Sequence, residues 1–184
     1  TNFHKSSNVR ITSAVGQSAG GGTDSAARVK LQDACGDALG GVPTLRWILE
    51  LVVNFDSLTN MQATCVRHGG FLIGAQRFDS CAFRISPAEA ATMDPQQRLL
   101  LEYGYIALHM SSHRRSALKG GNGGVFLGIE RPDWAMAMPK VLRSSVFAVT
   151  SDNLSIAAAR ASFVFDLLGP CMSIDAACAA SLVA

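Results

Sequence analysis

The chain has 184 residues, 48% of them apolar and 16% charged, with a formal net charge of +2. This length suits about one domain with a sizeable core, and the composition excludes a disordered tail, a collagen-like fibre and a disulfide-stapled miniprotein. A net charge of +2 is too small to build a phosphate-neutralising face, which argues against a nucleic-acid partner.

We expect no membrane span, because the densest apolar stretch, Trp47 to Val53, is far shorter than the roughly 20 residues that a spanning helix needs. The segment from Thr1 to Arg10 lacks the apolar region of a secretory signal. We predict that residues 1–8 form a loose N-terminal segment. The chain ends within the small-residue run from Ala179 to Ala184, which indicates a piece of a longer protein.

Cysteine usage indicates a reduced, intracellular protein with mostly buried thiols, in the cytoplasm or in an organelle such as a plastid. The cysteine count is odd, no pair has C-x-x-C spacing, and no zinc pattern combines cysteines with histidines, so we expect no metal site. The cysteines are Cys35, Cys65, Cys81, Cys171 and Cys178, and the histidines are His4, His68, His109 and His113.

In chain order, the first predicted element is a strand from Val9 to Val15, followed by a Gly-rich loop over Gly16–Gly22. Asp24 is a candidate N-cap for a helix that continues to about Leu39. Residues 44–70 show no clear pattern.

Two helices are predicted to meet at a sharp corner near Met93-Asp94. Ser86-Pro87-Ala88-Glu89 is a capping box in which Glu89 reaches back to the cap, and it opens a helix to about Thr92. Asp94-Pro95-Gln96-Gln97 repeats this device at the start of a longer helix. The core face of the longer helix is predicted to be the stripe Leu99, Tyr103, Ile106 and Met110.

The last third of the chain alternates strands and helices, which predicts an α/β fold. A glycine-rich loop precedes a buried strand at Val125–Ile129, and residues 130–145 are predicted to form a surface connection. A helix near Leu154–Phe165, a strand at Met172–Asp175 and a helix from Ala176 onward complete the prediction.

The candidate for chemistry is Cys178, which follows the last predicted strand at the start of a helix. Unpaired N–H groups and the positive dipole end of a helix favour a thiolate there, and the same amides can hold an oxyanion. Small neighbours, all alanines, leave room for a substrate. A small buried core residue is the alternative reading of such a cysteine.

The segment around Cys178 resembles the active-site sequence D-T-A-C-S-S-S-L of β-ketoacyl-acyl carrier protein synthases, in particular the ketosynthase domains of polyketide synthases. Further matches follow the family's order, and the run from Met93 to Glu102 is identical to the family's M-D-P-Q-Q-R-L-L-L-E. The similar segments are Pro43–Trp47, Arg67–Leu72, Phe78-Asp79, Ile85–Ala90, Met93–Glu102, Gly124–Gly128, Asn153–Arg160, Gly169-Pro170 and Asp175–Leu182.

The resemblance implies a thiolase-like fold of layered αβαβα architecture, present as an incomplete N-terminal portion over residues 9–184 that is cut just after the nucleophile. It implies an acyltransferase that performs a decarboxylative Claisen condensation through an acyl-Cys178 intermediate. The implied partners are an acyl carrier protein and acyl and malonyl thioesters carried on phosphopantetheine. No other cofactor is implied, and the family's full-length members imply a homodimer.

The chain departs from the family pattern at several positions. Ala176, Ala179 and Ala180 replace Thr and two Ser, Phe163 stands where Tyr is common, and Arg84 and Asp166 stand where the family usually has Gly. The family's two catalytic histidines lie beyond the cysteine in sequence. We therefore expect this chain by itself to acylate at most, and not to condense.

Three other functions remain open at this stage. One is a thiolase-fold enzyme that transfers acyl groups without decarboxylation. Another is a non-catalytic or degenerate thiolase-fold fragment with an assembly role. The third is a thiol-regulatory protein, which is disfavoured because only Cys171 lies near Cys178 in sequence.

Overall fold

The computed structural model describes residues 10–22, 24–44, 48–111, 118–130, 134–151 and 153–184. The chain divides into two compact units. One is Val15–Ala75, and the second unit comprises the described residues before Val15 and from Gln76 onward. Several predictions lie outside the described residues: the loose segment 1–8, Val9 of the first strand, the end of the Pro43–Trp47 motif, His4 and His113.

The unit Val15–Ala75 contains short helices and a two-stranded antiparallel sheet. Asp24 caps the first helix as predicted, since its carboxylate accepts from the Ala27 N–H at 2.7 Å. The predicted end near Leu39 is wrong, because Cys35 takes a left-handed φ of 48° and terminates the helix early. The elements are α1 Ser25–Asp33, β1 Gly40–Gly41, α2 Leu49–Val52, α3 Asn60–Arg67 and β2 His68–Gly69, with β1 paired to β2.

The predicted strand at Val9–Val15 is wrong over its described part, residues 10–15, which have no regular secondary structure. A strand needs a neighbour that pairs with its backbone groups, and no described strand pairs with this segment. Instead, the Ser13 hydroxyl donates to the Ala107 carbonyl at 2.6 Å.

The second unit is built from a parallel strand pair and several helices. Its elements are α4 Pro87–Thr92, α5 Pro95–Met110, β3 Val125–Gly128, α6 Trp134–Ala137, α7 Lys140–Arg143, α8 Ala148–Ser151, α9 Leu154–Phe165, β4 Cys171–Ile174 and α10 Ala180–Val183. A parallel pair joined through a helix, here β3 and β4 with α9 between them in sequence, confirms the α/β prediction.

The corner between α4 and α5 forms as predicted. The Ser86 hydroxyl accepts from the Glu89 N–H at 3.1 Å, and the Asp94 carboxylate accepts from the Gln96 N–H at 2.6 Å. Met93 lies at the corner itself with none of its surface exposed. Ser86 starts α4 and Asp94 starts α5 directly after α4 has ended, so the local sequence is sufficient to place this corner.

The capping boxes predict that the side chains of Glu89 and Gln97 accept from the N–H groups of their N-cap residues. This prediction is wrong, because both side chains instead contact Arg160 on α9. The Arg160 guanidinium forms an ion pair with Glu89 through Nη1 and donates through Nε to Gln97 Oε1 at 2.8 Å. The Gln97 amide nitrogen donates in turn to the Ser151 carbonyl at 3.1 Å. The nearly buried guanidinium therefore joins α4 and α5 to α9, and Gln97 extends the network to α8.

The core face of α5 is not the predicted stripe, since Ile106 and Met110 are 41% and 62% exposed. The side chain of Leu101 is buried instead, and the Phe165 ring packs where a Cβ on Gly104 would stand, 3.1 Å away. Apolar residues on several sides of α5 allowed more than one inward face, and the missing side chain at Gly104 selects this one. The core comprises Phe83, Ile85, Met93, Leu101, Ala161 and Phe165.

The predicted surface connection at residues 130–145 contains short helices, and one of its side chains is buried. Met138 is only 3% exposed, and the Trp134 indole N–H donates to the Thr92 carbonyl at 2.7 Å. Within the described ranges, no helix is long and apolar enough to cross a membrane.

The Arg160 contacts predict a measurable stability cost. Arg160→Leu would leave Glu89 and Gln97 without their partner, so we expect the free energy of unfolding to fall by about 2 kcal/mol, below the value for a fully buried pair because Glu89 is partly exposed. Urea denaturation measures this change. Arg143→Leu, which removes a guanidinium bonded to the Met138 carbonyl, is the control, and an equal loss in both variants would contradict the prediction.

Candidate functional site

Cys178 lies in the turn that links β4 to α10. β4 ends at Ile174, and a single 3-10 turn, Ala177–Ala179, leads into α10. Ala177 takes a φ of 48°, a left-handed conformation that costs a residue with a Cβ roughly 1–2 kcal/mol. The predicted helix from Ala176 onward therefore begins as a strained corner, and its α-helical part starts at Ala180.

Two hydrogen bonds stabilise this corner, and neither of them involves the backbone N–H of Cys178. The Asp175 carboxylate accepts from the Ala177 N–H at 3.2 Å, and the Ala176 carbonyl accepts from the Ala179 N–H at 3.1 Å. Neither bond uses the Cys178 N–H, and no described acceptor takes it. The backbone thus presents a thiol and an amide donor from the same residue.

The sheet fixes where the corner starts. β3 and β4 run parallel with Gly128 opposite Ile174, and the Ile129 N–H donates to the Ile174 carbonyl at 3.0 Å. On the other side, the Ser173 hydroxyl accepts from the Ala158 N–H of α9 at 3.3 Å. The end of β4 is therefore held by both the neighbouring strand and the packed helix.

The Cys178 thiol is exposed, so a substrate can reach the sulfur. The prediction of mostly buried thiols is wrong, because Cys35, Cys65, Cys81 and Cys171 are exposed as well. Four of the five lie at the start or end of an element or in a loop, where side chains are less often covered than in the middle of a core helix. The alternative reading of Cys178 as a small core residue is excluded by its exposure.

The described histidines have other contacts. His68 belongs to the unit Val15–Ala75, where its Nδ1 lies 2.9 Å from the Thr64 carbonyl oxygen. His109 on α5 stacks on the Tyr105 ring. Among the residues that the structure describes, no cluster of three or more His, Cys, Asp or Glu could hold a metal ion. The chemistry available at the corner is that of an exposed thiol beside backbone amides.

Two of the departures noted in the sequence lie at left-handed positions. Arg84 and Asp166 have φ values of 57° and 56°, a conformation in which glycine has no steric cost. Both line a cavity of about 690 Å³ whose floor includes Phe83 and Phe165. Cys178 does not line this cavity, so the cavity is separate from the candidate site.

The comparison that decides the family is a match over nearly the whole chain. The model of the β-ketoacyl synthase N-terminal domain matches residues 7–184. The chain belongs to the β-ketoacyl synthase family. The resemblance to the ketosynthase domains of polyketide synthases, drawn from the sequence motifs, is thereby confirmed.

Similar proteins are large polyketide synthases. Polyketide synthase GfsA of Streptomyces halstedii is 39% identical over 161 residues, which is 84% of this chain and 2% of that protein. Erythronolide synthase EryA2 of Saccharopolyspora erythraea is 38% identical over 150 residues, 81% of this chain and 4% of that protein. The β-ketoacyl synthase chain thus spans only a few per cent of these relatives.

Solved ketosynthase structures share the fold. An oxazolomycin ketosynthase domain of Streptomyces albus JA3453 superposes with a TM-score of 0.77 at 29% identity, covering 95% of this chain and 30% of that one. The ketosynthase from module 6 of the bacillaene synthase of Bacillus subtilis 168 gives 0.67 at 28% identity, with 93% and 27% covered. The expected thiolase-like fold, represented by its N-terminal portion, is confirmed.

Sequence reasoning predicted Cys178 as the site residue but did not predict the contacts that hold the surrounding structure. Arg160 lay inside a recognised motif, yet its partners Glu89 and Gln97 were assigned to helix caps. Gly128 lay within the predicted strand Val125–Ile129, and a glycine inside a strand was the only sequence signal of a close backbone approach at that point.

The position of Cys178 predicts preferential alkylation. We expect its thiol to react with iodoacetamide at neutral pH about tenfold faster than the thiols of Cys81 and Cys171, which are also exposed, because Cys178 lies at a helix start and no described acceptor takes its own N–H. Peptide mass spectrometry over a time course measures each rate, and the other thiols serve as internal controls. Equal, slow labelling of all the cysteines would contradict an activated thiol.

Proposed function

We propose that this chain supplies the nucleophile-bearing part of a ketosynthase, with Cys178 as the acyl-accepting residue. The observation that carries the proposal is the exposed thiol at the strained corner between β4 and α10, within a chain of the β-ketoacyl synthase family. Residues 9–184 are proposed to form the N-terminal part of the ketosynthase domain.

The first step is acyl transfer to sulfur. The Cys178 thiol first loses its proton, and the thiolate attacks the carbonyl carbon of a carrier-protein thioester. A new C–S bond forms, the carrier's C–S bond breaks, and the carrier leaves as a thiolate that takes up a proton. In this proposal the Cys178 N–H donates to the oxyanion of the tetrahedral intermediate. The alanines beside Cys178 leave space for the acyl group.

The second step forms the carbon–carbon bond. A malonyl-type extender loses carbon dioxide, its carbanion attacks the acyl carbonyl on Cys178, and the C–S bond to the enzyme breaks, which regenerates the thiolate. The enolate that decarboxylation leaves has to be stabilised by hydrogen-bond donors, a role that the family's C-terminal histidines have, and the described histidines, His68 and His109, make other contacts. We infer that the 184-residue chain alone acylates but does not condense.

The proposed partners follow from membership of the family. They are an acyl carrier protein that delivers acyl and malonyl groups as phosphopantetheine thioesters, and a second copy of the parent protein in a homodimer. A cytoplasmic location is part of the same proposal.

Acylation of the chain tests the first step. We expect incubation with a small acyl thioester, such as hexanoyl-N-acetylcysteamine, to add one hexanoyl mass to Cys178 and to no other residue. Cys178→Ser removes the thiol and should abolish this adduct, whereas Cys171→Ser, a matched change on the neighbouring strand, should retain it. Intact and peptide mass spectrometry measure both.

The outcomes separate the hypotheses that the sequence left open. No adduct on Cys178 would overturn the proposal and favour a non-catalytic fragment with an assembly role. Release of a β-ketoacyl product after addition of a malonyl thioester would overturn the inference that the chain alone does not condense.

A further inference from the structure

Gly128, the last residue of β3, lies against the backbone of α10. A Cβ on Gly128 would stand 2.7 Å from the Ala180 carbonyl carbon and from the Ser181 nitrogen, and 2.8 Å from the Ala180 oxygen. Among the described glycines, it is the one whose added Cβ would meet α10. These are backbone atoms, so no side-chain rotation relieves the overlap.

The contact fixes the far end of the corner that carries Cys178. The Ala180 N–H bonds to the Ala177 carbonyl, which closes the 3-10 turn around the cysteine. Ala180 itself is only 7% exposed, so α10 is seated against the sheet at this residue. The near end of the same corner is tied to the sheet where Ile129 bonds to Ile174. Gly128 thus lies both opposite Ile174 in the strand pair and against the backbone of α10.

Because the corner is held at both ends, a change in the distance between α10 and β3 must be absorbed by the few residues between Ile174 and Ala180. Ala177 is already in a left-handed conformation, so this segment has little freedom to adjust without losing its turn. The residue whose thiol and amide direction would change most directly is Cys178.

We propose that Gly128 is a positioning residue for Cys178: its missing side chain sets the approach of α10 to β3 and, through the closed turn, the orientation of the thiol and its amide. This inference rests on the proposed role of Cys178 as the acyl acceptor. It assigns to Gly128 a functional requirement beyond the packing of a strand.

The test compares Gly128→Ala with Gly123→Ala in the full 184-residue chain. An added Cβ at Gly123 meets only the flexible end of Leu167, at 3.3 Å, so this second variant is a matched glycine change in the same unit. For each protein, iodoacetamide rates at Cys178, Cys81 and Cys171 are measured at neutral pH by peptide mass spectrometry, together with hexanoyl transfer and the urea midpoint.

We expect Gly128→Ala to slow alkylation of Cys178 about tenfold at neutral pH and to reduce acyl transfer at least as much, because the thiol and its amide would be reoriented. Rates at Cys81 and Cys171 should not change, and Gly123→Ala should match the parent chain throughout. A purely structural role would instead change all three thiols together with the urea midpoint, and that result would overturn the inference.

A second variant covers the case in which Gly128→Ala does not fold. Ala180→Gly removes the buried methyl that seats α10 but introduces no overlap, and we expect it to reduce the preference for Cys178 about threefold. Full preference for Cys178 in the folded variants would overturn the positioning role while leaving the proposed function intact. If the parent chain itself shows no preference and no acylation at Cys178, the proposed function fails, and the positioning role fails with it.

Discussion

The packing of the helices in the second unit depends on the interactions of the Arg160 guanidinium. It is nearly buried on α9 and pairs with Glu89 on α4 and with Gln97 on α5, while Gln97 extends the network to the Ser151 carbonyl. A buried cation without partners would be very costly, so α9 is compatible only with an arrangement that brings both acceptors to it. The planar fork of arginine can serve two acceptors at once, which a lysine ammonium does less well.

The position of α9 in turn determines the sheet. The Phe165 ring of α9 packs over Gly104 of α5, and α9 donates from Ala158 to Ser173 on β4. β4 pairs in parallel with β3, so the carboxyl ends of both strands lie together. Cys178 comes directly after one of these ends and Gly128 is the last residue of the other. The candidate nucleophile is therefore linked to the Arg160 network through one helix and one strand.

Local sequence was sufficient wherever the stabilising contact is between near neighbours. The caps at Asp24, Ser86 and Asp94 form as predicted, because each hydrogen bond spans only two or three residues. The same reasoning failed for Glu89 and Gln97, whose chosen partner lies more than 60 residues away. It failed as well for the inward face of α5. Apolar residues lie on several sides of this helix, so the buried face is determined by the packing of α9 and not by the local pattern.

The sequence by itself determined the family, the α/β class and the capped starts of α1, α4 and α5, and it indicated Cys178 as the candidate for chemistry, because motifs and caps are written in consecutive residues. Tertiary structure alone decided that the thiol is exposed, that Arg160 joins α4 and α5 to α9, and that Gly128 must lack a side chain. These depend on distances between segments far apart in the chain. Such distances are set by packing and by the pairing of buried charge, and no local pattern encodes them.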